Sequence, residues 1–418
     1  MADEKAGQKG ASQAALRPAS ASARPASLST IEDSTPNNPF VLDEMPKASG
    51  RLYRMLPDIL RALHRVTGWE GTPLFALDPM PTTGLAHDHV RIIATGRLLR
   101  IPRQSQMRLS AADNLAYECA CFSRTSASGS PPKLYDVIPP CSELPMGALI
   151  LDEIFGRPSI LPDDLPEIAR ALAGIHALPL PAEAERPPFL DPDDTLVDTL
   201  AEIETQAVHL DAGVSDSESR AMIRRELAAA QELLKSDARP PRTLIAFDAH
   251  PGNFLIDGRG RARLVDLEKC RYGAAGLDLA HATLYTSTTW DVASQAVLTQ
   301  AHVAEFYSAW LAHLPDEEAR IQKPWLLALR RVMWLWSVTW CAKWRVESQG
   351  ALKEDKLSQD STEDWSAENT ADDEGGAALI AHVADRTAHY LESDVIAHVV
   401  GEWSADSALT QSLTADSL

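Results

Sequence analysis

The chain has 418 residues, 45% hydrophobic and 23% charged, with a formal net charge of -20 and an isoelectric point near 5.0. This length allows two domains, or one two-lobed enzyme with tails. The acidic balance argues against nucleic acid as a partner, because nucleic-acid binders need clustered Lys and Arg to displace counterions from phosphates.

Residues 1–45 contain no hydrophobic stretch, which excludes a secretory signal and predicts a disordered tail. The five cysteines form no C-x-x-C pair, so neither a disulfide framework nor a zinc site is indicated. The most apolar late stretch, 325–344, contains Arg330 and Arg331 and is typical of a core helix rather than a membrane span. We therefore expect a cytoplasmic protein without a membrane partner, and we expect both arginines in surface ion pairs.

Residues 46–155 are predicted to form an N-terminal lobe rich in β-structure. Two short apolar runs around a Thr-Gly pair predict a β-hairpin over 89–102. Glu118 lies in a helical run, and 147–154 predicts a further strand. A turn is expected at 156–158, where the sequence is Gly-Arg-Pro.

Residues 156–350 are predicted to form a larger, mainly helical C-terminal lobe. Helical periodicity covers 165–178, 196–210 and 217–234. One hairpin, with Asp-Gly-Arg-Gly at 257–260 as its turn, interrupts the helices.

Beyond these lobes, the chain is predicted to continue as an acidic linker over 351–376, a C-terminal helix over 377–405 and a tail over 406–418. The change from a β-rich half to a helical half indicates an α+β fold. The late tryptophans are expected in the core, with the lining of a substrate pocket as the alternative. They are Trp310, Trp325, Trp334, Trp336, Trp340 and Trp344.

The segment 247–268 carries the chemistry. A kinase site needs a carboxylate that orients the attacking hydroxyl and accepts its proton, together with oxygen ligands for magnesium. Asp248 and Asn253 have the Asp-x-x-x-x-Asn spacing of a kinase catalytic loop, and the hairpin brings Asp266 back beside Asn253. Mg²⁺ prefers such hard oxygen ligands and leaves its other positions to phosphates and water.

The sequence here resembles the aminoglycoside phosphotransferase family, a group of small-molecule kinases related to choline and fructosamine kinases. The motifs that carry the resemblance are Asp248, His250-Pro-Gly-Asn253, Asp266-Leu-Glu268, Tyr272-Gly273 and Asp278-Leu-Ala280. The resemblance implies a protein-kinase-like two-lobed fold, in which 46–155 is the nucleotide-binding lobe and 156–350 the catalytic lobe. It also implies ATP or GTP and Mg²⁺ as cofactors, and a small-molecule hydroxyl as acceptor. It makes Asp248 the catalytic base, assigns Asn253 and Asp266 to the metal, and has Asp278 brace the catalytic loop.

The same resemblance places nucleotide contacts outside the catalytic loop. Arg100 stands where the family carries a phosphate-binding Lys, and Glu118 is its helix partner, so an ion pair between them is expected. The connection between the lobes, with Asp152 and Ile154, would hold adenine through its backbone.

Some positions depart from the family pattern. Ala246 replaces a His, Phe247 replaces a Gly, and the nucleotide loop around Thr83-Gly84-Leu85 lacks a Gly-rich signature. Arg100 would contact phosphate as a planar fork and not as a point charge. These departures motivate the alternative of a catalytically weak or inactive pseudokinase that binds nucleotide or a protein.

A non-kinase helical binding protein is a third hypothesis, which requires the ordered motifs to be coincidence. The acceptor stays open among amine-bearing molecules such as choline or an aminoglycoside, sugars and secondary metabolites, because a fold does not fix a substrate. ATP versus GTP and the oligomeric state are open as well.

Overall fold

The computed structural model describes residues 50–81, 86–353 and 374–414. Three sequence predictions lie outside these ranges: the tail over 1–45, the loop around Thr83-Gly84-Leu85 and most of the acidic linker.

A five-stranded antiparallel sheet forms the core of the N-terminal half. Its strands are β1 (Leu77–Pro79), β2 (His87–Ile92), β3 (Arg97–Pro102), β4 (Leu134–Ile138) and β5 (Ala148–Asp152). They lie side by side in the order β1-β2-β3-β5-β4. The hairpin predicted over 89–102 is confirmed as β2 and β3, and Gly96 in its turn has a φ of 67°, which costs a glycine little.

Two helices cover opposite faces of this sheet, α1 (Gly50–Leu63) and α2 (Ala111–Thr125). Ile150 of β5 lies in the hydrophobic cluster that includes α1. Its neighbour Leu149 lies with Phe122 of α2 in the main cluster of the molecule. Because successive side chains of a strand point to opposite faces, β5 joins the two clusters.

The C-terminal half is mainly helical. Its helices up to the expected linker are α3 (Leu165–His176), α4 (Thr195–Ala207), α5 (Leu210–Gly213), α6 (Ser217–Gln231), α7 (Ala275–His281), α8 (Tyr285–Thr288), α9 (Gln300–Leu311), α10 (Asp316–Gln322) and α11 (Leu326–Lys353). α11 packs against α4 and α7, and α3 packs against α9. Trp310 and Trp334 are among the largest fully buried side chains, so their expected place in the core is confirmed. The α+β architecture predicted from the sequence is therefore present.

Two small sheets lie among these helices. Their strands are β6 (Gly156–Pro158), β7 (Arg242–Ile245), β8 (Phe254–Asp257), β9 (Ala262–Leu264) and β10 (Arg271–Ala274), ordered β6-β8-β9 and β10-β7. The turn expected at 156–158 is instead a strand. Gly156 makes this pairing possible, because a Cβ atom there would lie 2.6 Å from the carbonyl oxygen of Ile256.

The C-terminal region differs from the single helix and tail that were expected. Two helices, α12 (Glu374–His389) and α13 (Ser393–Val400), replace the one helix, and α14 (Ala408–Thr414) occupies the expected tail. Glu392 breaks the longer helix with an extended ψ of 143°. Leu409 is fully buried, which explains why α14 packs onto the lobe.

The apolar stretch 325–344 lies mostly in α11 and is internal. Among the described helices, none is both long and apolar enough to cross a bilayer. The expectation of a surface ion pair is wrong for Arg330, which is 0% exposed. Its Nε donates to Glu402 Oε2 at 2.6 Å and one Nη donates to Thr283 at 2.8 Å, so it ties α11 to the C-terminal segment.

Candidate active site

The loop between β7 and β8 gathers the residues predicted to carry the chemistry. Asn253 donates from its side-chain nitrogen to the carbonyl oxygen of Asp248 at 2.8 Å. The Val265 N–H donates to the carbonyl oxygen of Asn253 at 2.9 Å, which sets the return strand of the hairpin beside the loop. The structure thus brings Asp248, Asn253 and Asp266 together, as the spacing predicts.

Asp278 at the start of α7 holds the beginning of this loop. Its fully buried carboxylate accepts the backbone N–H groups of Ala246 at 2.7 Å and Phe247 at 2.8 Å. It also lies 3.0 Å from Nε2 of His176. Trp310 donates its indole N–H to Nδ1 of His176 at 3.1 Å, so Nε2 carries the ring hydrogen and donates to Asp278. Because the bracing bonds go to backbone, they do not need a His at position 246.

Phe247 fills the position where the family carries a glycine. Its φ of 61° lies in the left-handed region, which costs a non-glycine residue about 1–2 kcal/mol. The buried ring packs edge-on against Trp336 with centroids 5.3 Å apart, and the guanidinium carbon of Arg271 lies 3.6 Å from the ring centroid. These contacts offset the strain of the residue that precedes Asp248.

Asp248 is surrounded by cationic or titratable nitrogen groups. Lys269 Nζ lies 3.1 Å from one carboxylate oxygen and His281 Nδ1 lies 3.8 Å from the other. Burial alone would raise the pKa of Asp248, but Lys269, with His250 and His281, outweighs it and holds the pKa below its usual value. The side chain keeps 20% of its surface exposed. Asp248 is therefore an ionised carboxylate at neutral pH that a ligand can reach.

Lys269 and His281 were not predicted from the sequence. Only His281 carries a weak signal that could have found it, since it follows Asp278 by three residues on α7. In a helix that separation places two side chains on one face. Lys269 lies in a turn, where spacing gives no such signal.

Asp266 is bound by an arginine from the N-terminal half. Arg100 on β3 donates to its carboxylate at 2.5 Å. Burial would raise the pKa of Asp266, but Arg100 and other nearby cations hold it well below its usual range. The Asp266 side chain keeps 30% exposure, whereas that of Arg100 keeps 4%.

The oxygen donors of this site suit a magnesium ion. The amide nitrogen of Asn253 is engaged by Asp248, which leaves its amide oxygen as the available ligand atom. Asp266, whose carboxylate is partly exposed, directly follows Val265, whose N–H binds the Asn253 carbonyl oxygen. Mg²⁺ is bound in proteins by one or two such oxygen groups, with water and phosphates completing the octahedron.

Arg100 belongs to a buried network of opposite charges. Its Nε lies 3.5 Å from Oε2 of Glu118, so the expected ion pair is present. Glu118 is held more closely by His87 Nε2 at 3.1 Å and by Asn114 Nδ2 at 2.8 Å. Glu268 completes the network, 3.4 Å from His87 Nδ1 and 3.8 Å from Arg100.

His87 and Glu118 have the protonation expected of an ion pair, whereas burial and the charge of Asp266 raise the pKa of Glu268 to about 7. Burial and Arg100 lower the pKa of His87, but Glu118 and Glu268 outweigh them and raise it. Burial would raise the pKa of Glu118, yet His87 and Arg100 lower it. The ligand atoms of His87, Glu118 and Glu268 lie within 4.8 Å of one another, a spacing that could hold a metal ion. Because Arg100 already places a cation beside both carboxylates, we interpret the cluster as an ion-pair network.

Glu118→Gln is expected to destabilise the protein by about 3 kcal/mol, because it leaves buried Arg100 and His87 with one carboxylate fewer. Urea unfolding followed by circular dichroism measures the difference. The control is Glu317→Gln on α10, where the carboxylate and its partner Arg320 are exposed, and little change is expected there. A loss for Glu118→Gln no greater than for the control would contradict the network.

The two candidate residues between the lobes differ in their surroundings. The Asp152 carboxylate lies 3.1 Å from Arg97 and accepts the Lys133 N–H at 3.3 Å, so it is engaged within the sheet. Among the described residues, none forms a hydrogen bond with the backbone of Ile154. Ile154 thus has a free donor and acceptor at the junction, while no hydrogen bond or ion pair of the described residues links Asp152 to the catalytic loop.

Comparison with known proteins identifies relatives of this arrangement. The model of the phosphotransferase enzyme family matches residues 81–314, more than half of the chain. A comparison with curated proteins finds no match.

Solved structures share the fold at low sequence identity. A choline/ethanolamine kinase family protein from Mesorhizobium loti has a TM-score of 0.50 and 15% identity, with 83% of this chain and 98% of that chain covered. An ethanolamine kinase from Plasmodium vivax has a TM-score of 0.50 and 13% identity, with 72% and 84% covered. The protein-kinase-like two-lobed fold predicted from the sequence is therefore confirmed.

Proposed function

Because the chain belongs to the phosphotransferase enzyme family, we propose that it transfers the γ-phosphate of ATP or GTP to a hydroxyl group of a small molecule. The observation that carries this proposal is the ionised Asp248 beside the two oxygen donors Asn253 and Asp266, on a loop that Asp278 braces. A site of this kind supplies the groups that phosphoryl transfer needs, namely a base and metal ligands held at fixed separation.

Asp248 acts as the base in this proposal. The acceptor oxygen forms a bond to the γ-phosphorus while the bond between that phosphorus and the bridging oxygen of the nucleoside diphosphate breaks. The hydroxyl proton passes to the Asp248 carboxylate and later to solvent. Lys269, 3.1 Å away, keeps Asp248 ionised before the transfer.

The nucleotide and metal are assigned to the remaining candidate residues. Asn253 and Asp266 would hold Mg²⁺, which supplies positive charge that neutralises the phosphates. Arg100, whose planar fork is already bound to Asp266, would contact the phosphates. Glu118 keeps Arg100 in place. The free backbone groups of Ile154 would receive adenine, with Asp152 fixing the strand before it.

The proposal is tested by thermal shift followed by phosphate transfer. ATP or GTP with Mg²⁺ should raise the melting temperature, because a ligand of the native state stabilises it by mass action. Labelled nucleotide is then offered with hydroxyl compounds of different charge. Stabilisation by nucleotide without transfer to any acceptor would instead favour the inactive alternative, and the absence of stabilisation would contradict both.

Lys269→Met is expected to move the acidic limb of the pH–rate profile to higher pH. A base must be ionised to accept a proton, so activity falls as the pH drops through the pKa of Asp248. Lys269 lowers that pKa, and its removal raises it, so the mutant loses activity at a higher pH than the wild type. Lys269→Arg keeps the charge and serves as the control, with its limb close to that of the wild type. Superimposable profiles for Lys269→Met and the wild type would show that Lys269 does not set the ionisation of the base.

A further inference from the structure

Arg386 on α12 is a buried cation that lacks a counter-ion among the described residues. It is 1% exposed. Its Nε and Nη1 atoms make no hydrogen bond, and its Nη2 reaches Gln295 Oε1 only at 3.5 Å. Arg330, which is equally buried, has Glu402 at 2.6 Å. Burial of an unpaired charge is strongly unfavourable, so the position of Arg386 points to an anion that is supplied from outside.

Arg386 lies on a helix that contacts Trp290-Asp291, and this segment in turn contacts the catalytic loop. One turn earlier on α12, His382 Nε2 lies 2.8 Å from the carbonyl oxygen of Trp290. The carboxylate of the next residue, Asp291, lies against Gly252, so closely that a Cβ atom on Gly252 would overlap the carboxylate. Asp291 also caps the Ala293 N–H at 2.8 Å, so its carboxylate is already engaged. A single short segment therefore separates Arg386 from the loop that carries the base.

Aromatic side chains connect the same region to Asp248. Trp290 packs edge-on against Trp340 of α11, with centroids 5.9 Å apart. One turn earlier on α11, Trp336 packs on Phe247, the neighbour of Asp248. The Trp336 indole N–H and the Thr288 hydroxyl on α8 are buried polar groups without a hydrogen-bond partner. One unused donor thus belongs to the ring that packs on Phe247, and the other lies two residues before Trp290. Buried donors are normally satisfied.

We propose that Trp290, Trp336, Thr288, Gln295 and Arg386 form the acceptor site and that the acceptor carries an oxyanion, a carboxylate or a phosphate, which Arg386 binds. This inference rests on the proposed function, because it names the acceptor class of that same site. An arginine fork matches both oxyanions. A cationic amino alcohol would meet an unpaired positive charge, so the amine-bearing acceptors considered from the sequence are disfavoured.

A matched set of diols tests the charge of the acceptor. Glycerol, glycerate, glycerol phosphate and aminopropanediol share a three-carbon skeleton and differ in charge. Melting temperatures are measured with each, with and without a non-hydrolysable ATP analogue and Mg²⁺, which occupy the phosphate site. An anionic diol should stabilise the protein, and labelled phosphate should reach it with a kcat/KM about tenfold or more above that for aminopropanediol.

Arg386→Met tests whether the anionic diol stabilises the protein by binding to Arg386. The variant should melt a few degrees above the wild type without added ligand, because it removes an unpaired buried charge, and it should lose the stabilisation by the anionic diol. Arg320→Met, at an exposed arginine of α10, is the control and should keep that stabilisation. If Arg386→Met does not fold, Arg386→Lys keeps the charge without the fork and should bind the anion more weakly.

The outcomes separate this inference from the proposed function. Equal stabilisation of wild type and Arg386→Met by anions, no stabilisation by any anion, or preference for the amine would each overturn the acceptor class. If Mg-nucleotide raises the melting temperature and the anions do not, only the acceptor class fails. If Mg-nucleotide itself has no effect, the proposed function fails, while the diols still test Arg386.

Discussion

Asp266→Ala is expected to abolish the part of nucleotide stabilisation that depends on magnesium. Asp266 offers the only carboxylate among the two proposed metal ligands, and the amide oxygen of Asn253 alone is a weak site for a strongly hydrated ion. At a nucleotide concentration of 100 times Kd, binding stabilises a native state by about 2.7 kcal/mol. We expect most of this magnesium-dependent stabilisation to disappear in the mutant. The measurement is the melting temperature with ATP in the presence and absence of Mg²⁺.

The same mutation releases Arg100 from its shortest ion pair, so the melting temperature without ligand also changes. Asp266→Asn keeps the size of the side chain and separates the loss of charge from the loss of volume. Asp211→Ala, at an exposed carboxylate of α5, is the control and should keep the full magnesium dependence. An undiminished response to Mg²⁺ in Asp266→Ala would remove this residue from the metal site.

The catalytic loop could be predicted from the sequence because its parts are close together along the chain. The loop and the hairpin that returns Asp266 span 248–266, and turn chemistry at 257–260 fixes their pairing. Strand and loop residues that are joined by one short turn must lie side by side. The juxtaposition of Asp248, Asn253 and Asp266 therefore needed no knowledge of the rest of the fold.

The surroundings of the loop could not be predicted in this way. His87 from β2 meets Glu118 from α2 and Glu268 from the end of the hairpin, and their register depends on how the whole sheet packs. No sequence signal distinguishes His87 from an ordinary strand residue. The burial of Arg330 and Arg386 was likewise missed, because charge is a cue for the surface and only tertiary contacts reveal the exceptions.

The departures from the family pattern also became interpretable only in three dimensions. Ala246 and Phe247 suggested a damaged loop. The bracing bonds from Asp278 reach their backbone N–H groups, which any residue provides. The Phe247 ring fills the space between Trp336 and Arg271. The loop is therefore held by contacts that do not need a His at 246 or a Gly at 247.

Asp248→Asn is expected to lower turnover by about a hundredfold or more while leaving nucleotide affinity nearly intact. The lower bound is the usual scale for the loss of a positioned general base. Asp248 binds the proposed metal ligand Asn253 through its backbone, because its carbonyl oxygen accepts a hydrogen bond from the Asn253 side chain, and the substitution preserves that bond. The carboxylate acts on the acceptor hydroxyl in the transition state. Its loss should therefore lower the rate of transfer and leave the nucleotide dissociation constant nearly unchanged.

The measurement compares the nucleotide dissociation constant and the single-turnover rate of wild type and Asp248→Asn with an acceptor found by the diol set. Single-turnover conditions isolate the chemical step from product release. Asp257→Asn, at the hairpin turn, is the control for an aspartate that lies on the same β-structure without facing the acceptor. A mutant that transfers phosphate at the wild-type rate would show that Asp248 is not the base.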